Sequence, residues 1–85
     1  MDLNDFLVLF CDAMIDECSE IKDLCNWKPW KKNRPINTYA VEEEAIDVLH
    51  FLLDMFNKLG MTYIDIVEMY EEKFQVNMDR IRDDY

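Results

Sequence analysis

The scarcity of helix-breaking residues constrains this chain more than any other feature. Gly60 is the one glycine in 85 residues, and Pro29 and Pro35 are the two prolines. Glycine and proline interrupt regular secondary structure more strongly than other residues, so few interruptions are expected. The sequence therefore predicts an all-α fold. We expect three long helices, from about Asn4 to Cys25, from about Thr38 to Leu59, and from Thr62 to the C-terminus.

Two local signals support the boundary between the second and third helices. Gly60 is expected to end the second helix, because glycine enters the left-handed backbone conformation readily. Thr62 followed by Asp65 resembles a capping box, which is typical of a helix start. At this length we expect one all-α domain over residues 1–85.

Charge limits the possible partners. The chain has 19 acidic and 9 basic residues, which give a net charge of −10. Such a surface repels nucleic acid, so we expect no nucleic-acid partner. The N-terminus lacks the basic region of a signal peptide, and acids interrupt every apolar run. We therefore expect no membrane span and a cytoplasmic protein.

Three cysteines, Cys11, Cys18 and Cys25, recur at a regular spacing along the first helix. One helix cannot pair them with one another, and free cysteines are usually small buried residues. We expect unpaired thiols at core or near-core positions, in a reducing compartment.

Two pairs of carboxylates interrupt the apolar helix faces. On a helical projection, Glu17 fills a gap in the apolar seam of the first helix, and Glu20 lies one turn further on. On the second helix, Glu44 falls inside the apolar arc and Asp47 lies at its edge. Buried like charges are costly unless they are paired or coordinated, and convergent oxygens suit Mg²⁺ or Mn²⁺. We predict one divalent-cation site, with a solvated acidic face as the alternative.

The apolar arc of the second helix is wide. On the same projection it covers roughly 220°, which is more than one packed neighbour needs. A chain this short also buries only a modest share of its surface. We therefore predict a homo-oligomer, either a homodimer or a homotetramer.

The connection between the first two helices, NWKPWKKNRPINTY, contains four basic residues, no acidic residue, and both Trp27 and Trp30. A polar connector has no need of two tryptophans. On the third helix, Lys73, Asn77 and Arg80 form a strip beside an apolar seam. Such a strip suits an anionic ligand. Its alternative is a set of ion-pair partners for the many acids.

Taken in order, these motifs resemble the all-α nucleoside triphosphate pyrophosphohydrolases, the superfamily of MazG and of the dimeric dUTPases. The resemblance is strongest to the dimeric dUTPase branch. It implies a MazG-like helical bundle that dimerisation completes. The matching stretches are Glu17-Cys-Ser-Glu20, Trp27-Lys28-Pro29-Trp30-Lys31, Glu44-Ala-Ile-Asp47 with His50-Phe51, Tyr70-Glu-Glu-Lys73, and Asn77-Met-Asp-Arg80.

The resemblance implies Mg²⁺-dependent hydrolysis of a nucleoside triphosphate, dUTP first, to the monophosphate and pyrophosphate. It also implies a role for each matching residue. The four acids would bind the metal. From the chemistry of phosphoryl transfer, which requires a positioned water, we assign Glu20 in addition the orientation of the attacking water. The implied substrate contacts are Lys73, Arg80 and Lys28 or Lys31 with the phosphates, Asn77 with the sugar or base, Trp27 or Trp30 with the base, and His50 with the sugar.

Other interpretations remain. The chain lacks the amide-rich N-terminal stretch that helps the dimeric dUTPases read uracil, and the family's Arg-Gln-x-x-Gly-Tyr ending reads Arg80-Ile81-Arg82-Asp83-Asp84-Tyr85. A MazG-like house-cleaning pyrophosphatase for another nucleotide is therefore an alternative, and so is a non-catalytic helical interaction module. A di-iron site is disfavoured, because His50 projects about 120° away from Glu44.

Overall fold

Three α-helices account for the regular structure of residues 1–83, which the computed structural model describes. These are α1 (Leu3–Asp23), α2 (Thr38–Lys58) and α3 (Tyr63–Arg82), and no strand occurs among the described residues. The all-α prediction is confirmed. The end of the predicted third helix, Asp84 and Tyr85, lies outside the described residues.

The chain forms two compact units, Met1–Met55 and Phe56–Tyr85. The first contains α1, the basic connection and most of α2. The second contains the end of α2 and all of α3. The expectation of one domain over residues 1–85 stays a prediction.

α1 begins and ends slightly earlier than the sequence predicts. Asp2 caps its start, because the amide of Asp5 donates to the Asp2 carboxylate at 2.8 Å. At its other end the amide of Leu24 donates to the carbonyls of both Glu20 and Ile21. Shared bonds of this kind tighten the last turn of a helix, which ends α1 before Cys25.

The end of α2 follows from the backbone conformation of Gly60. Its φ angle is +73°, in the left-handed region that side chains disfavour. The amide of Gly60 donates to the carbonyl of Asn57 at 3.1 Å, and the amide of Met61 donates to that of Phe56 at 3.0 Å. These two bonds form a Schellman motif. The predicted role of Gly60 is confirmed.

Side-chain caps define the starts of α2 and α3. The amide of Ala40 donates to the side chain of Asn37 at 3.1 Å. At α3 the Thr62 hydroxyl accepts from the amide of Asp65 at 3.2 Å, and the Asp65 carboxylate accepts from the amide of Thr62 at 2.9 Å. This reciprocal pair is the predicted capping box.

Within the first unit, α1 and α2 pack as an antiparallel hairpin. The ring of Phe10 meets the ring of Phe51 edge to face, with centroids 5.8 Å apart. Glu17 follows Phe10 by about two helical turns, and Glu44 precedes Phe51 by the same length of helix. Since Glu17 also lies close to Glu44, the two helices run antiparallel and in register.

The packing faces of this hairpin are only half-buried, and no side chain of residues 1–83 is fully buried. Glu17 and Glu44 both lie among the half-buried residues, as the helical projection indicates. The half-buried residues of α1 and of α2 as far as Met55 are Phe6, Leu7, Phe10, Ala13, Met14, Glu17 and Ile21 on α1, and Ala40, Val41, Glu44, Val48, Phe51, Leu52 and Met55 on α2.

Large apolar side chains remain exposed elsewhere on the hairpin. On α2 they include a stripe of Ile46, Leu49 and Leu53, which are 42 to 51% exposed.

The three cysteines are free and exposed, so the prediction of core positions for them is wrong. Within the first unit only α2 packs on α1, and it covers one narrow face of that helix, so the cysteines on the other faces stay exposed. None of the described helices has the length and apolarity that a membrane crossing requires.

Candidate functional site

Three of the four predicted acids converge between α1 and α2. Glu17, Glu44 and Asp47 each present a carboxylate oxygen, and these oxygens lie within 4.8 Å of one another. Ligand oxygens on opposite sides of Mg²⁺ are about 4.2 Å apart, because each Mg–O distance is about 2.1 Å. Neighbouring ligand oxygens of an octahedral Mg²⁺ are closer, about 3.0 Å apart, and three ligands include at most one opposite pair. The three carboxylates would therefore have to approach one another by side-chain rotation to share one ion.

Two of these carboxylates have unsatisfied oxygens. The Oε2 atoms of Glu17 and Glu44 are covered from solvent and have no hydrogen-bond partner among the described residues. An ionised carboxylate can only accept hydrogen bonds, so two such groups cannot satisfy each other. A proton or a cation between them would remove the deficit. The donor set, which consists of oxygens alone, suits Mg²⁺ or Mn²⁺.

Glu20 joins this cluster through Glu44. A hydrogen bond with the Glu44 carboxyl, followed by the repulsion between their negative charges, raises the pKa of Glu20 above its usual range. The pKa of Glu44 is also raised, first by a hydrogen bond with Glu17 and further by partial desolvation and by the charges of Glu17 and Asp47. The cluster therefore holds protons more tightly than isolated glutamates do.

We call residues 24–37, which connect α1 to α2, the basic loop. It encloses a cavity of about 340 Å³ next to the end of α1. The cavity is lined by the indole of Trp27, by four cationic side chains, and by three residues of the α1 end and the loop start. These are Lys28, Lys31, Lys32 and Arg34, then Asp23, Cys25 and Asn26.

The two tryptophans of the basic loop have different surroundings. Trp27 lies under two ammonium groups, with Lys22 Nζ 4.6 Å and Lys28 Nζ 5.1 Å from its ring centroid. Trp30 meets Trp27 edge to face at 6.3 Å and is 72% exposed. Trp27 therefore lines the cavity, whereas Trp30 presents a free face to solvent. His50 is exposed on α2.

The predicted strip on α3 lies in the second unit. Lys73, Asn77 and Arg80 are all exposed. Lys73 borders a small apolar pocket of about 260 Å³ that includes Met61 and Tyr70. Its ammonium group makes no ion pair with any described residue, so the ion-pair alternative does not account for Lys73.

Sequence reasoning did not single out Asn26, Lys32 or Arg34 as site residues, although the structure places all three around the basic cavity. Lys32 and Arg34 carried a signal in the sequence, because they belong to the same run of basic residues without an acid. Asn26 carried no such signal. Its contact is with the backbone of Arg34, and residue spacing does not predict a contact of that kind.

Comparison of the sequence with known protein families gives a match. The sequence model of a dUTPase family matches residues 4–63. The chain belongs to this dUTPase family. The match confirms the resemblance and includes both carboxylate pairs and the whole basic loop. It ends before the strip on α3. No curated protein and no solved structure matched the chain.

Proposed function

We propose that this dUTPase-family chain is a Mg²⁺-dependent nucleoside triphosphate pyrophosphohydrolase that cleaves dUTP between the α and β phosphates. The observation that carries the proposal is the convergence of Glu17, Glu44 and Asp47 beside two covered, unsatisfied carboxylate oxygens. Membership of the dUTPase family supports the choice of substrate.

The chemistry divides between the acids and the cations. Glu17, Glu44 and Asp47 would hold the metal, with Glu20 beside them. Bound Mg²⁺ would neutralise negative charge on the phosphate oxygens, which is the main requirement of phosphoryl transfer. We assign Glu20 the orientation of the attacking water, because it is the member of the cluster outside the group of three converging oxygens and remains exposed.

We assign the substrate contacts by chemical type, with cationic side chains on the phosphates and aromatic side chains on the base. Lys28 and Lys31 would bind phosphates in the basic cavity, and Trp27 or Trp30 would stack on the base. Stacking is tolerant of base identity, so selectivity must come from polar groups. From the second unit we assign Lys73 and Arg80 to the phosphates and Asn77 to the sugar or base. His50 would support the sugar.

A nucleotide panel tests the function. We expect the purified chain with Mg²⁺ to release pyrophosphate and monophosphate from dUTP faster than from dCTP, dTTP or the purine nucleotides. Pyrophosphate release measures the rate, and the identity of the monophosphate locates the bond that is cleaved. Faster hydrolysis of another nucleotide would favour the house-cleaning alternative. No release from any nucleotide would favour the interaction module and contradict the proposal.

We also propose that the protein acts as a homodimer or a homotetramer. The stripe of Ile46, Leu49 and Leu53 is exposed, and no side chain of residues 1–83 is fully buried. Exposed apolar surface of this kind typically marks an interface. A second copy that packs on this stripe would cover it and complete a helical bundle.

Sedimentation equilibrium tests the assembly. We expect a dimer or tetramer at micromolar concentration, and Leu49→Glu should shift the equilibrium towards monomer by placing a charge in the apolar interface. Glu43→Gln, an exposed substitution on the same helix about 80° to one side of the stripe, is the control and should leave the mass unchanged. A wild-type monomer with full helicity would contradict the assembly.

A further inference from the structure

A single side chain joins the two ends of the cationic part of the basic loop. The Asn26 amide nitrogen donates to the carbonyl oxygen of Arg34 at 2.8 Å, and the amide of Arg34 donates to the Asn26 side-chain oxygen at 3.0 Å. Both polar atoms of Asn26 are thereby used. Among the described residues, the loop has one further internal hydrogen bond. The amide of Lys31 donates to the carbonyl of Lys28 at 3.1 Å, which closes a local turn.

The cations of the basic loop make no ion pair with a carboxylate that the structure describes, although Asp23 also lines the cavity. Lys28, Lys31, Lys32 and Arg34 line one cavity, and none of them makes an ion pair with any residue of the described chain. The chain has 19 acidic residues that could have served as partners. Four like charges on a short loop repel one another, so without a constraint the loop would open. The cavity volume falls in the usual range of small-ligand sites, about 300 to 1,000 Å³.

We propose that Asn26 is a positioning residue that holds the basic loop in an anion-binding conformation, and that Lys32 and Arg34 bind the polyphosphate of the substrate together with Lys28 and Lys31. This inference rests on the proposed function for the identity of the substrate. The ligand chemistry is a chain of phosphates, whether free or attached to a nucleoside. The role proposed for Asn26, Lys32 and Arg34 does not depend on the identity of the base.

The expected effect is a loss of affinity with little change in the chemical step. Without Asn26 the loop samples open conformations, and polyphosphate must order it on binding. Loss of two hydrogen bonds in such a loop should weaken binding by about tenfold. Once substrate is bound, the acids of α1 and α2 are unaffected. KM should therefore rise by about tenfold while kcat changes little.

The first experiment measures binding without hydrolysis. Inorganic triphosphate is titrated calorimetrically into the full chain at low ionic strength with EDTA. We expect Asn26→Ala to raise Kd by about tenfold. Asn33→Ala is the matched control, because Asn33 lies in the same loop and its side chain makes no hydrogen bond with a described residue. Asn26→Gln keeps the amide and should recover part of the affinity.

Charge variants test the two additional cations. Lys32→Ala and Arg34→Ala should each weaken triphosphate binding by about three- to tenfold. Arg82→Ala removes the same charge from a residue that is already paired with Asp79 at 3.4 Å, and it should leave Kd unchanged. Equal losses in all three variants would mean that only the total charge matters, and this would overturn the assignment of Lys32 and Arg34.

The outcomes separate this inference from the proposed function. If wild type binds triphosphate and hydrolyses no nucleotide, the proposed function fails and the role of Asn26 still stands on the binding data. If Asn26→Ala binds triphosphate as wild type does, Asn26 is not a positioning residue. The positioning role is also overturned if Asn26→Ala lowers the melting temperature and helicity but leaves Kd unchanged at a temperature where the chain is folded. Absence of triphosphate binding by wild type would overturn the proposal entirely.

Discussion

Glu44→Gln is expected to lower kcat/KM for the best nucleotide by about 100-fold or more at saturating Mg²⁺. Glu44 lies at the centre of the cluster, since its carboxylate converges with those of Glu17 and Asp47 and its Oε2 atom is covered. Its proximity also raises the pKa of Glu20. Glutamine keeps the shape of the side chain but removes the negative charge that attracts the cation. Pyrophosphate release over a range of nucleotide and Mg²⁺ concentrations measures the effect.

The adjacent residue provides the control for this substitution. Glu43 is on the same helix and is exposed, and Glu43→Gln removes the same charge outside the cluster. It should retain activity within about a factor of two, because surface charges of this kind contribute little. Similar losses in Glu43→Gln and Glu44→Gln would show that net charge, and not the cluster, controls activity.

The stability of the metal-free protein should fall as pH rises through the raised pKa values of Glu20 and Glu44. The native state binds protons at these groups more tightly than the unfolded chain does. The free energy of unfolding that they contribute is therefore fully present below the ordinary pKa of a glutamate, and it declines as pH rises above that value. Thermal unfolding in EDTA measures this, and the decline should be shallower in Glu20→Gln than in Glu43→Gln.

Mg²⁺ should reverse this loss at neutral pH. At a concentration about ten times its Kd, we expect the melting temperature to rise by about 5 to 10 °C at fixed protein concentration. Glu17→Gln should abolish the rise and leave the metal-free fold intact. NaCl at matched ionic strength controls for general screening of the acidic surface. An equal rise in NaCl, or an undiminished rise in Glu17→Gln, would rule out Glu17 as a ligand.

The sequence predicts most of the helical framework because its signals are local. Gly60 and the pair of Thr62 and Asp65 specify an end and a start through backbone conformation and nearby hydrogen bonds. The convergence of Glu17 and Glu44 is also predictable, because each occupies an apolar position on its own helix and apolar faces pack together.

Other features depend on contacts that residue spacing does not encode. The bonds between Asn26 and Arg34 join residues of an irregular loop, where no periodicity relates one position to another. The exposure of Cys18 depends on how many helices pack on α1, which the spacing of its cysteines does not reveal. The roles assigned to the strip on α3 remain predictions from spacing and resemblance.

The matched separation of Phe10 from Glu17 and of Phe51 from Glu44 restricts how the chain can change in length. Inserting one residue between Phe10 and Glu17 would turn the carboxylate by about 100° and move it about 1.5 Å along the axis, away from Glu44. An insertion in one of these segments preserves the site only if it adds close to a whole number of helical turns. The other helix must then gain an insertion of the same length, so that the two carboxylates still meet. The chain can more readily lengthen beyond Gly60 or before Leu3, where the distance from ring to carboxylate is not altered.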